Sequence, residues 1–248
     1  MRLRRIAVVV PARNEEELLA ACLDSVSVAE AELARVRPDV VCEVMVVLDR
    51  CTDGTADVAI GRRARVVSSR HGRVGAARAL GVRTALDGHR PDEVWIANTD
   101  ADSVVPPHWL VRQAELAEDG HDLVTGTVEP GPTGDPVLLA QWHARHRLAD
   151  DHPYVHAANL GIRGSAYLRA GGFDDVATHE DRLLVERAVA DGIMVTASDA
   201  LRVRTSGRLE SRAPGGFADY LQLLICPAEP GSPGETGRRG ATLSALGR

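Results

Sequence analysis

From Arg5 to Pro11 the chain carries Ile-Ala-Val-Val-Val, an unbroken apolar run made mostly of β-branched residues. A strand that alternates apolar and polar residues can turn one face to water; this one leaves neither face free. It belongs inside a parallel sheet covered by helices on both sides. Similar runs follow at Val40 to Leu48, Ala64 to Ser68, Glu93 to Ala97 and Asp122 to Val128. Helical patterns separate them. Leu18, Leu19, Cys22, Leu23 and Val26 fall on one apolar stripe. Asn14 reads as the N-cap of that helix, with Glu15, Glu16 and Glu17 in its first turn. A short helix is expected near Asp57 to Arg62, and a loop and helix with small residues on one side over Gly72 to Leu86. Pro106 and Pro107 suit the opening of another helix, with Trp109, Leu110 and Leu116 turned inward. This alternation over about 130 residues predicts an α/β fold, a mostly parallel central sheet flanked by helices.

The second half is less regular. Val137 to Ala149 and His179 to Asp191 have helical periodicity, Tyr154 to Arg163 reads as extended, and Ile193 to Ala197 as a strand. From Pro227 the chain is rich in Pro, Gly, Ser, Glu and Arg, which predicts a disordered tail over 227–248.

Composition narrows the partners. All 29 permanent side-chain cations are arginines, so a bound phosphate is held by arginine forks, helix N-termini or metal. The formal net charge of -6 argues against nucleic acid as a partner. Cys22, Cys42, Cys51 and Cys226 form no CxxC and follow no signal-like segment, so they read as reduced thiols of a cytoplasmic protein. No stretch of about 20 apolar residues occurs, which predicts no transmembrane segment and at most peripheral membrane contact.

In an open parallel sheet, ligands bind beyond the carboxyl ends of the strands. Three polar clusters fall there: Pro11-Ala-Arg-Asn-Glu15, Asp49-Arg-Cys-Thr-Asp53 and Asp100-Ala-Asp102. In an extended segment Asp100 and Asp102 point the same way and can share one hard cation, Mg²⁺ or Mn²⁺, leaving its other positions for substrate phosphates.

These segments resemble the family 2 glycosyltransferases of the GT-A fold. Val8 to Glu16 resembles the family's opening strand and Pro-x-x-Asn-Glu loop, and Val46 to Thr55 its second strand and acidic turn. Gly72 to Gly81 is similar to the glycine-arginine helix start, and Asn98 to Ser103 to the metal motif. Gly171 to Asp175, followed by His179-Glu180-Asp181, resembles the acceptor-side motif with its base. The match runs in family order over roughly residues 5–220.

The resemblance implies a single GT-A domain over 1–226, with a nucleotide-binding half, 1–130, and an acceptor half, 131–226. It implies a nucleotide diphosphate sugar donor, a hydroxyl acceptor, Mn²⁺ or Mg²⁺ as cofactor and inversion at the anomeric centre. Pro11, Arg13 and Glu15 would line the nucleotide pocket. Asp49 would accept from the base or ribose, and Arg78 would approach the nucleotide. Asp100 would sit near ribose and metal, and Asp102 would bind the metal. Asp181 would be the general base, with Glu180 beside it and His179, His156 and Asn159 toward the acceptor.

Two departures stand out. The paired acids of the family's second turn are here Leu48-Asp49. The late histidine that many relatives use on the metal has no counterpart, because none follows His179. Arg208 and Arg212 lie in that region and suit a grip on the pyrophosphate. A nucleotidyltransferase would need a glycine-rich basic loop after the first strand, and a Rossmann dehydrogenase GxGxxG there. Neither is present. A nucleotide-sugar-binding protein without catalysis is the other alternative.

Overall fold

A computed structural model describes residues 2–132, 135–176, 178–210 and 216–225. The opening run forms β1 (Arg5–Ala12), buried at every position after the first. Its side chains alternate between two cores. Ile6, Val8 and Val10 pack on one face of the sheet with α1 (Leu19–Val36), while Ala7 and Val9 face the other. Burying both faces of one strand is what commits the chain to helices on both sides.

The stripe of α1 is as expected, Leu19, Cys22, Leu23, Val26, Ala29 and Leu33 being buried. Its start is not. Asn14 is in the left-handed region, φ 54°, and the residue that precedes α1 is Leu18. Asn14 Oδ1 accepts from the Thr52 amide at 2.8 Å. Glu16 Oε2 accepts from the Gly54 amide at 2.7 Å, and the Glu15 amide donates to Thr55 Oγ1 at 2.8 Å. The loop after β1 is thereby laced to the next loop, and the helix begins only at Leu19 without a side-chain cap.

Then follow β2 (Val41–Asp49), α2 (Thr55–Gly61), β3 (Arg65–Ser69), α3 (Val74–Leu86), β4 (Val94–Asn98), β5 (Ser103–Val104), α4 (Trp109–Glu118) and β6 (Leu123–Pro130). Helix α3 lies close on the sheet. A Cβ on Gly81 would come within 2.6 Å of Val9 Cγ1 and 2.9 Å of Val47 Cγ2, so only glycine permits this approach. Pro106 and Pro107 precede α4 rather than open it; His108 is the residue before its first turn.

The remainder comprises α5 (Pro136–Arg145), β7 (Leu160–Arg163), α6 (Gly164–Arg169), α7 (Glu180–Ala190), β8 (Val195–Thr205) and α8 (Phe217–Ile225). Helices α6 and α8 are not among the helices expected from the sequence. The segment expected to be extended from Tyr154 contains one 3₁₀ turn, Ala157–Asn159, before β7. Among the described residues the sheet has eight strands in the order β3-β2-β1-β4-β7-β6-β8-β5. Strands β1 to β4 pair in parallel, as do β6 and β8. Strand β7 enters between β4 and β6 and is antiparallel to both, which a pattern of apolar runs cannot reveal.

A small third core joins Leu138 and Trp142 of α5 to Leu221 and Leu224 of α8. Cys22, Cys42 and Cys51 are free thiols. No described helix is long and apolar enough to cross a membrane. The expected tail, 227–248, and Cys226 lie outside the described residues.

Candidate active site

The carboxyl ends of β1, β2 and β4 open into one cleft of about 1060 Å³, and the start of α7 and the end of β8 close it. Pro11, Arg13 and Glu15 line it from the β1 loop, and Asp49 from the end of β2. Asp49 is buried, its Oδ1 accepting from Ser69 Oγ at 2.8 Å and from the Gly72 amide at 3.1 Å. That fixes the β2 end against the entry to α3.

Asp100 and Asp102 also line the cleft, but on a turn between β4 and β5 rather than on an extended segment. Their surroundings differ. Asp100 Oδ1 accepts from Arg78 Nη2 at 2.6 Å. Asp102 Oδ1 accepts from Thr205 Oγ1 at 3.2 Å, and its Oδ2 lies 3.1 Å from Arg208 Nη2. Burial, with the nearby Asp100 and Glu15 carboxylates adding to it, pushes the Asp102 carboxyl up to about 6, against the pull of Arg208. A carboxylate disfavoured in this way marks a position where added positive charge is welcome.

Arg208 follows β8 and answers part of that demand. Its two Nη atoms donate to both carboxylate oxygens of Glu15, at 2.9 and 2.8 Å, a planar fork that lysine could not reproduce. Arg212 lies outside the described residues.

Arg78 projects from α3, its side chain only 4% exposed. Besides Asp100 it meets Glu180 Oε1 through Nε at 3.3 Å, and its Nη1 is buried without a partner. Burial works against the charge of Arg78, and Asp100 and Glu180 more than restore it. Burial also raises Glu180, against Arg78. Arg78, expected to approach the nucleotide, lines the cleft and ties the acidic turn after β4 to the start of α7.

Glu180 and Asp181 form the first turn of α7, and His179 precedes it at φ 65°, exposed, with no side-chain cap bond. Asp181 Oδ2 accepts from the Ala157 amide at 2.8 Å, and its Oδ1 from the Arg182 amide at 2.7 Å. All three residues line the cleft, so Asp102 and Asp181 share one cavity although 79 positions apart in the chain.

Asn159 does not reach it. This side chain is 1% exposed and wholly occupied in the core. Its Nδ2 donates to the carbonyls of Thr127 and Leu201, both at 2.8 Å, and its Oδ1 accepts from Trp109 Nε1 at 2.9 Å. The antiparallel β7, entered just after Asn159, needs this amide to join β6, β8 and α4. Lining residues that the sequence reading did not select include Thr205, Tyr154, Phe217 and Tyr220. Among the described residues, no group of three or more His, Cys, Asp or Glu side chains is placed to hold a metal ion.

The glycosyl transferase family 2 model matches residues 7–158, more than half of the chain. The chain belongs to glycosyl transferase family 2. Several solved structures share its fold. The TarS fragment from S. aureus, solved with UDP-GlcNAc, superposes with a TM-score of 0.62 at 15% identity, covering 91% of this chain and 67% of that one. The mannosyltransferase PcManGT from Pyrobaculum calidifontis, solved with GDP-Man and Mn²⁺, gives 0.60 at 20% identity, with 90% and 70% covered. Glucosyl-3-phosphoglycerate synthase from Mycobacterium tuberculosis, solved with Mg²⁺ and UDP, gives 0.53 at 19%, with 90% and 79% covered. No curated protein sequence matches the chain. The fold is therefore GT-A, a single α/β domain on a mostly parallel sheet.

Proposed function

We propose that this family 2 member moves a sugar from a nucleotide diphosphate sugar to an acceptor hydroxyl, with inversion at the anomeric carbon. The observation that carries the reading is the meeting of Asp102, Arg208 and Asp181 in one cleft. The domain 1–226 then works as two regions of one sheet, 1–130 toward the nucleotide and 131–226 toward the acceptor. Solved relatives hold UDP-GlcNAc, GDP-Man with Mn²⁺, or UDP with Mg²⁺, and this supports the donor class.

The residues suit the chemistry. Pro11, Arg13, Glu15 and Asp49 face the nucleotide. Asp100 and Asp102 would hold Mn²⁺ or Mg²⁺ through hard carboxylate oxygens. Two carboxylates fit a partly open site, and the raised Asp102 carboxyl fits a place that gains from a cation. When bound, the metal neutralises charge on the departing diphosphate. Arg208 adds a guanidinium fork to the same task, and after this chemistry the leaving group needs no protein acid.

The acceptor needs a base. Asp181 is fixed by two backbone amides, and its carboxylate takes the hydroxyl proton as the new bond from acceptor oxygen to the anomeric carbon forms. The bond from that carbon to the diphosphate oxygen breaks, and its electron pair leaves with the nucleoside diphosphate.

A thermal-shift panel of nucleotide diphosphate sugars with Mn²⁺ or Mg²⁺ tests donor binding through linkage. Transfer by the best donor is then compared with Asp181→Asn. This variant should lose about 10²- to 10⁴-fold in turnover with nucleotide affinity preserved. Full transfer by purified Asp181→Asn removes the residue as base. Donor binding without hydrolysis or transfer by the wild type favours a binding protein instead.

A further inference from the structure

The chain contains only three Trp, three Tyr and two Phe. Trp142, Tyr154, Phe217 and Tyr220 gather at one end of the cleft, interleaved with histidines. His152, Tyr154 and His156 alternate along the chain, so their rings fall in a row. Ring centres lie 5.6 Å apart at 15° between His152 and Tyr154, and 6.4 Å apart at 24° between Tyr154 and His156. Phe217 stands edge-on to His156 at 6.5 Å and 87°.

Behind this row His146 stacks on Trp142 at 4.2 Å and 7°, and meets Tyr154 at 5.2 Å and Tyr220 at 5.5 Å. Trp142 is anchored in the small core of α5 and α8. Tyr154 Oη accepts from the Arg147 amide at 2.9 Å, which fixes its ring. The rings are thus braced from behind, while Tyr154, His156 and Phe217 line the cleft itself. None of these contacts takes part in holding Asp102 or Arg208.

The wall adjoins the base. His156 is followed by Ala157, whose amide donates to Asp181 Oδ2. It also carries little positive charge. Burial lowers His146 and His152, and lowers His156 to about 4 with help from those two neighbours, so the imidazoles are neutral rings at neutral pH. Of the arginines lining the cleft beside the wall, Arg182 pairs with Glu186 at 2.8 Å and Arg73 with Asp175 at 3.3 Å; Arg145, near His146 and Tyr220, donates to the Gln141 carbonyl. Glu180 and Asp181 face the same space, and an anionic acceptor would meet them at a cost.

Aromatic faces carry negative quadrupole charge and attract weakly positive C–H groups. One face of a pyranose ring is such a C–H surface, while its hydroxyls point outward at the rim. We propose that Tyr154, His156 and Phe217 form a stacking wall on which a neutral pyranose acceptor lies, its hydroxyl turned to Asp181. This deepens the proposed function and rests on it for the role of Asp181; the stacking itself does not.

The test uses the full chain. Methyl pyranosides, the corresponding sugar 6-phosphates and a planar phenol are titrated by saturation-transfer difference NMR. UDP and GDP with Mn²⁺ are titrated separately by calorimetry. Neutral pyranosides should bind, with saturation strongest on the ring C–H protons. Tyr154→Ala and Phe217→Ala, on different elements, should each weaken them about fivefold, while Tyr154→Phe retains binding. Nucleotide affinity that stays within about twofold in these variants shows that they are folded. Preference for the phosphates or the phenol, no pyranoside binding, or pyranoside binding indifferent to both alanine variants overturns the wall. Pyranoside binding as expected with no nucleotide bound overturns glycosyl transfer and leaves the wall standing.

Discussion

Arg78 Nη2 lies 2.6 Å from Asp100 Oδ1, one partner on α3 and the other on the turn that follows β4. Because the same guanidinium reaches Glu180 at 3.3 Å, a single buried cation offsets two carboxylates. Removing it leaves both uncompensated. Arg78→Met should cost about 3–5 kcal/mol of stability. Urea denaturation checks this, and adding Glu180→Leu should recover part of the loss. A variant as stable as the wild type would mean that water already screens the pair.

Arg208 joins Glu15 through a two-bond fork and approaches Asp102. If it shifts to grip the donor's diphosphate, Arg208→Ala should weaken nucleoside diphosphate binding about tenfold or more, the worth of a charge-assisted bond. Arg208→Lys should restore only part, because an ammonium cannot present two parallel donors. Calorimetry measures both. Unchanged affinity in Arg208→Ala confines the residue to holding Glu15.

Both sequence and structure point to the same strand ends, for a physical reason. Runs apolar at every position, such as Ile6 to Val10, declare strands buried on both faces, and the polar residues that stop them mark where solvent and ligand begin. Asp49, Asp100, Asp102 and Glu15 were readable on that basis. Asn14 was not, because its side chain answers an amide 38 positions away. Asn159 has the residue type of a ligand contact, yet only the placement of β7 reveals that three core groups need it. The aromatic wall was hidden likewise, since α5, the segment around Tyr154 and α8 show no shared pattern until they pack.

His156 makes the fold sensitive to acid. Its folded value of about 4 lies below the ordinary 6.5, so between these values the unfolded chain takes up a proton that the folded imidazole refuses. The stability from keeping it neutral is complete above 6.5 and is lost as pH falls toward about 4. His146 and His152 are lowered as well and add to the same slope, while the raised Asp102 and Glu180 carboxyls, which take up protons more readily in the folded chain, oppose it. Melting temperature followed from neutral pH to about 4 should fall more, or rise less, in the wild type than in His156→Gln. An unchanged slope in that variant assigns the acid sensitivity to other groups.

Gly81 and Gly61 make a controlled pair. A Cβ at Gly81 collides with Val9 and Val47, so Gly81→Ala should lift α3 and cost about 1–3 kcal/mol. Gly61 has nothing within 4 Å, and Gly61→Ala should be neutral or stabilise by up to about 1 kcal/mol. Denaturant midpoints of the two variants should move in opposite directions or differ clearly in size. Equal shifts would show that the sheet yields at Val9 and Val47.

Strands β5 and β8 close like a clasp beside Asp102. Ser103 pairs with Thr205, their hydroxyls meet at 2.9 Å, and the Ser206 amide donates to the Asp102 carbonyl at 3.0 Å. Asp102 and Arg208 are therefore two ends of one fastening although far apart in sequence. Chimeras that splice the front of one family member to the back of another will break it at every crossover between positions 103 and 205, unless both parents bring matching halves.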